Sequence, residues 1–204
     1  MSEQNEEDIN RAANEKRRKH KEAKDKILAK KVKEGGLLVV HTGKGKGKTT
    51  AALGVTLRSW GRGMKVIVLQ FIKHSTANFG EQRAALKMGV EMRAMGDGFT
   101  WRSKDLDQSA DLARAHWEDC KKVIESGEYD LIVLDEFTYP MHYGWVDTEE
   151  VIEVLKSRPD MLHVIITGRN APEALVEYAD LVTEMNVIKH PYQQGIKAQP
   201  GIEF

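Results

Sequence analysis

Residues Thr42-Gly43-Lys44-Gly45-Lys46-Gly47-Lys48-Thr49-Thr50 alternate glycine with lysine and end in two hydroxyls. This composition suits a polyphosphate. Glycines let successive backbone N–H groups point into one concavity without Cβ obstruction, Lys48 adds a point charge, and Thr49 offers a hydroxyl suited to Mg²⁺. The usual spacing G-x-x-x-x-G-K-[ST] has glycine where Thr42 stands, so this loop is expected to start differently from a standard Walker A turn. A second chemical cluster is Leu131-Ile132-Val133-Leu134-Asp135-Glu136, an apolar run ending in two carboxylates in the form of a Walker B segment. Carboxylates at the C-terminal edge of a parallel sheet lie beside the first strand-to-helix loop, where Asp135 and Glu136 are expected to join Thr49 in holding Mg²⁺ on the phosphates.

Elements around these clusters must bring them together. Gly36 to His41 reads as a buried strand, and Thr50-Ala51-Ala52-Leu53-Gly54-Val55 opens a helix whose N-terminal dipole faces the anion. Further strands are expected at 64–70, 90–95, 130–135, 161–167 and 181–186, after the first at 37–42. Helices are expected near 49–60, 79–88, 106–126, 148–157 and 171–179. Such alternation predicts an α/β fold, a mostly parallel sheet of about six strands with helices on both faces. Asp147 with Glu150, and Asn170 with Glu173, have the spacing of capping boxes, and Pro172 is expected in a first turn. Ala113, His116, Trp117, Cys120, Val123 and Ile124 share one helix face and are read as packing residues.

Composition narrows the function classes. The 204 residues suffice for one α/β domain plus an appendage, and a formal net charge of zero gives no bulk argument for nucleic acid. Cys120 is the single cysteine, which excludes an intrachain disulfide and a cysteine-built zinc site. No apolar run has the length of a membrane span, and the charged start Met1-Ser2-Glu3-Gln4-Asn5-Glu6 is unlike a signal peptide, so a cytoplasmic location is expected. Residues 1–34 divide from the rest by composition: lysines and arginines dominate 9–34, with Ile9, Ile27, Leu28 and Val32 as sparse apolar points. This segment is expected to be a basic, conditionally ordered helical arm preceding a catalytic domain at 35–204.

The phosphate loop and the acidic strand end do not choose among hydrolase, kinase and transferase. Further motifs do: Gly96-Asp97-Gly98-Phe99-Thr100-Trp101, Val133-Leu134-Asp135-Glu136-Phe137-Thr138-Tyr139, Val164-Ile165-Ile166-Thr167-Gly168-Arg169, Val187-Ile188-Lys189-His190-Pro191-Tyr192 and Gly195 to Glu203. Together with residues 43–52 they closely resemble, in consistent order from about Lys30 to the C-terminus, the ATP:corrinoid adenosyltransferases of bacterial cobalamin biosynthesis and salvage. The resemblance implies a RecA-like P-loop fold and transfer of the 5′-deoxyadenosyl group of MgATP to the Co(I) of a reduced corrinoid, cobalamin or cobinamide, with release of tripolyphosphate. It implies ATP bound along residues 42–50 in the reverse of the usual orientation, with Lys48, Thr49 and Glu136 as catalytic residues. It implies that Phe99 and Trp101 pack under the corrin and displace its lower axial base, which makes Co(II) reducible. A flavoprotein reductant, a homodimer and an N-terminal helix covering the partner's corrin are further expectations of the family.

Two other readings are compatible with the loops alone. In a P-loop ATPase or nucleoside kinase, Glu136 would orient water or an acceptor hydroxyl; the thymidine-kinase type carries a cysteine-rich zinc ribbon that one cysteine cannot build. In a nucleotide-gated binding module the basic arm would hold nucleic acid or an acidic protein, against which stand the neutral core and the lack of an aromatic-studded basic groove.

Overall fold

Leu131-Ile132-Val133-Leu134 is apolar at every position, so a sheet built from such strands must be covered on both faces. The computed structural model describes residues 3–74, 79–96 and 106–203. Six parallel strands form one sheet in the order β3-β2-β4-β5-β1-β6, comprising β1 Leu38–Thr42, β2 Val66–His74, β3 Glu91–Gly96, β4 Leu131–Asp135, β5 His163–Thr167 and β6 Leu181–Glu184. The period of two divides each central strand between two cores. Ile132, Leu134, Val164 and Ile166 join a cluster with Trp117, Cys120 and Ile124 of α4 (Leu106–Glu125), Val151 and Leu155 of α6 (Thr148–Lys156) and Leu175 of α7 (Glu173–Tyr178). Leu131, Val133 and Ile165 join the opposite cluster with Ala52 of α2 (Lys48–Trp60) and Ala85 of α3 (Gly80–Met88). This is the expected α/β architecture, with all of its strands parallel.

Differences from the expected elements have local causes. β2 runs on to His74 because its pairing with β3 resumes at His74 and Gly96 after an irregularity. The edge strands β3 and β6 carry exposed positions, since each has a neighbour on one side only. Asp147 caps α6 as its spacing predicts, accepting from the Glu150 amide at 2.9 Å. Asn170 forms no such box. It sits at φ 53°, and Pro172 stands at the N-cap of α7 instead of in its first turn, because the preceding residues are used to turn back across the sheet, with the Ala171 amide donating to Thr42 Oγ1 at 3.1 Å. A short helix α5, Thr138–His142, follows the acidic strand end without any periodic signal in the sequence.

Residues 1–34 form a unit separate from 35–204. Its helix, α1, spans Glu3–Leu28, beginning earlier than the basic stretch because no glycine or proline interrupts the chain before Gly35. The described side chains of this helix are exposed, Ile27 and Leu28 among them, and its Lys19–Glu15 ion pair at 2.9 Å joins neighbours on one helix face.

Candidate functional site

The strand that leads into the phosphate loop and the strand that ends in Asp135 are not neighbours. β5 lies between β1 and β4, and the registers His41↔Thr167 and Leu134↔Ile166 bring the three C-terminal ends level. Thr167, the last residue of β5, is therefore placed between the two predicted clusters. Its Oγ1 donates to Asp135 Oδ1 at 2.7 Å and accepts from the Glu136 amide at 2.9 Å. Thr49 Oγ1 donates to the same Asp135 oxygen at 2.8 Å, and Gln70 Nε2 donates to Oδ2 at 3.1 Å. Asp135 is only 1% exposed, and these three donors satisfy a carboxylate that burial would otherwise penalise heavily.

Glu136 differs from its neighbour. It is a non-glycine residue at φ 59°, a left-handed conformation sustained here by the Thr167 bond to its amide, and it keeps partial solvent access. Burial, then the adjacent Asp135, push its carboxyl above the usual carboxylate range, with Lys48 and Arg169 opposing. Thr49 and Glu136 thus offer oxygen donors while Asp135 accepts the Thr49 proton, a set that suits a hard cation. Among the described residues no group of three acidic, histidine or cysteine side chains makes a metal site by itself. A cation held here would take its remaining ligands from phosphate and water, as Mg²⁺ does readily.

The loop itself departs from the expected arrangement. Lys48 is 6% exposed, and its Nζ donates to the carbonyls of Gly43 at 2.9 Å and Gly45 at 2.7 Å, crossing its own loop. Burial draws its pKa below the ordinary lysine value, and Glu136 pulls in the other direction. The Gly45 amide does not join a common concavity: it donates to Met185 O at 2.6 Å, in the chain leaving β6. That chain passes so close that a Cβ on Gly43 would lie 2.5 Å from Met185 O, at a φ of 95° that already favours glycine. Lys46 forms an ion pair with Glu203, while Lys44 and Thr50 are exposed. α2 starts after Gly47 with neither a side-chain cap nor an acidic residue in its first turn, which leaves its N-terminal field for an anion.

Thr42 to Thr50, Asp135 and Glu136 are thus gathered at one edge of the sheet. Phe99 and Trp101 lie outside the described residues. Gln70 and Met185 are parts of the site that sequence reasoning missed, and Thr167, which fell within a quoted motif, was given no site role. The residues read as packing are so: Trp117 and Cys120 are buried, His116 meets Phe71 edge-on at 6.4 Å, and burial pushes the Cys120 thiol up, away from reactivity. Beyond Glu136 the chain forms an aromatic cluster, with Tyr139 and Tyr143 at 4.6 Å and Tyr143 stacked on Trp145 at 5.2 Å.

A family model described as ATP:corrinoid adenosyltransferase BtuR/CobO/CobP matches residues 34–204. The corrinoid adenosyltransferase of Sinorhizobium sp is 43% identical over 189 residues, covering 91% of this chain and 88% of its own length. That of Escherichia coli (strain K12) is 40% identical over 184 residues, covering 90% and 93%. The corrinoid adenosyltransferase CobA of Salmonella typhimurium is 39% identical over 190 residues, covering 93% and 96%.

Proposed function

The chain belongs to the ATP:corrinoid adenosyltransferase family, and from that premise we propose that its site moves the 5′-deoxyadenosyl group of ATP to the cobalt of a reduced corrinoid, releasing tripolyphosphate. The observation that supports this reading is the hydrogen-bonded chain Thr49–Asp135–Thr167–Glu136, which ties the phosphate loop to the acidic strand end through the Thr49–Asp135 bond. Co(I) is itself the nucleophile. Its electron pair forms the Co–C5′ bond, the C5′–O bond breaks, and that bond's electrons leave on the tripolyphosphate oxygen. No proton has to be removed, so the protein's work is to position the two substrates and to stabilise a leaving group that gains charge.

In this reading residues 42–50 bind the phosphates, and Lys48 exchanges its carbonyl contacts for phosphate oxygens. Thr49 and Glu136 hold Mg²⁺, with Asp135 as the buried acceptor behind them. When bound, that ion neutralises charge developing on the phosphate chain. Phe99 and Trp101 face the corrin, and the Tyr139, Tyr143 and Trp145 cluster supplies apolar surface near the same sheet edge. The arm at 1–34 covers the corrin of a second copy in a homodimer, with residues 35–204 as the catalytic domain, and a flavoprotein reductant delivers the electron in the cytoplasm. The test is incubation with MgATP and chemically reduced cobalamin or cobinamide. Expected are a light-sensitive Co–C product and one tripolyphosphate per product; rapid orthophosphate release without corrinoid would instead make the chain an ATPase.

A further inference from the structure

The segment that follows β6 is tied to the phosphate loop at both of its ends. At its start the Met185 amide donates to Thr42 O at 2.9 Å, and Met185 O accepts from the Gly45 amide at 2.6 Å. A Cβ on Gly43 or Gly45 would lie 2.5 or 2.6 Å from that same carbonyl oxygen, so the segment can pass only beside glycines. At its far end Glu203 returns to the next loop residue and pairs with Lys46 Nζ, 157 positions away in sequence. Residues 185–203 therefore form a strap closed on Gly45 and Lys46. Among the described residues the hydrogen bonds of 187–202 stay within the strap, as from the Ile196 amide to Pro191 O at 3.1 Å, and Ile188, Tyr192 and Ile202 are exposed. The Lys46 side chain is 53% exposed and that of Glu203 18%. An ion pair so open to water holds weakly, so the far tie yields before the backbone bonds at Met185 do.

We propose that Glu203 is an internal competitor for the phosphate loop: its carboxylate holds Lys46 while the loop is empty, a polyphosphate displaces it, and the far end of the strap is then released. The inference rests on residues 42–50 as a polyphosphate site and not on the adenosyl transfer. A carboxylate offers a lysine the same pair of anionic oxygens that a phosphate does, so the two exclude each other at one ammonium group. Whatever free energy the strap gains from Lys46 is therefore withheld from the incoming anion, and by linkage the bound anion loosens the strap by the same factor. The competition also favours departure of the leaving group, because Glu203 takes Lys46 back as the tripolyphosphate goes.

The test titrates tripolyphosphate with Mg²⁺ by calorimetry into the full-length protein and its E203Q variant, and into K46M and the K46M/E203Q double variant, with thermal melting to verify folding. E203Q should tighten binding about threefold at low salt, the size expected for one exposed ion pair, and the gain should shrink as salt screens it. On the K46M background the same change should alter binding by less than about twofold. In the parent protein tripolyphosphate should quicken hydrogen exchange at 199–203, where the Ile202 and Glu203 amides donate to Gln199 O. A Glu203 that merely braced the loop would weaken binding when replaced. Unchanged or weaker binding in E203Q, a gain that persists on K46M, or exchange at 199–203 that does not quicken overturns the proposal. Because the titration contains no corrinoid, a strap that yields to tripolyphosphate in a protein that forms no Co–C product would refute the adenosyl-transfer reading and leave the competition standing.

Discussion

Thr167→Val probes the hydroxyl that ties Asp135 to the Glu136 backbone. Valine keeps the volume of Thr167, which is fully buried, and removes only the hydroxyl. Two bonds go with it, the 2.7 Å donation to Asp135 and the 2.9 Å acceptance from the Glu136 amide. The first is a bond to a carboxylate, worth about 1.5–3 kcal/mol, but Asp135 keeps its Thr49 and Gln70 donors, so the lower end applies. The second leaves a part-buried N–H without its partner, a loss of about 1–3 kcal/mol. A destabilisation of about 3 kcal/mol should follow, read from urea unfolding followed by circular dichroism. Glu136 should also lose the bond that sustains its left-handed backbone, so the Mg²⁺ concentration for half-maximal transfer should rise severalfold while Co(I) saturation stays unchanged. Serine at 167 should restore most of both effects. Thr167→Val within about 0.5 kcal/mol of the parent, with an unaltered Mg²⁺ requirement, would refute the view that this hydroxyl holds Asp135 and the Glu136 backbone in place.

Lys48→Ala should depress transfer roughly a hundredfold or more at saturating ATP while the circular dichroism spectrum is retained, since it removes a contact to the leaving group worth about 2–4 kcal/mol; near-normal turnover would exclude the assignment. Because the Glu136 carboxyl is raised by burial and by Asp135, the folded protein holds its proton to higher pH than the unfolded chain, so this group's contribution to stability falls as pH rises through that window. In the metal-free protein Glu136→Gln should abolish this fall of stability with pH, and a slope that persists in that variant belongs to another group. Phe99→Ala and Trp101→Ala should impair the reaction that starts from Co(II) and a mild protein reductant far more than the one supplied with Co(I), and equal losses in the two assays would reduce these aromatics to pocket shape.

By itself the chain determined its elements and its chemistry wherever local pattern carries the information. Apolar runs such as Leu131 to Leu134 announce strands covered on both sides, Asp147 with Glu150 announces a helix start, and the Gly/Lys loop announces a turn from strand into helix. Motif order along the chain gave the family. Tertiary structure decided what depends on residues distant in sequence. Nothing local says that β5 separates β1 from β4, and only that strand order brings Thr167 and Thr49 together on the same Asp135 oxygen. Nor does the loop composition reveal that Met185 takes the Gly45 amide, because that follows from where the chain passes after β6. The same cause undid the capping box expected at Asn170: spacing proposed it, but a backbone required to turn across three strand ends, tied to Thr42 and Thr138, left Asn170 in a left-handed conformation outside the helix. Periodicity and spacing are properties of neighbours in sequence, whereas hydrogen bonds across a sheet edge are set by topology, and the site is built mostly of the latter.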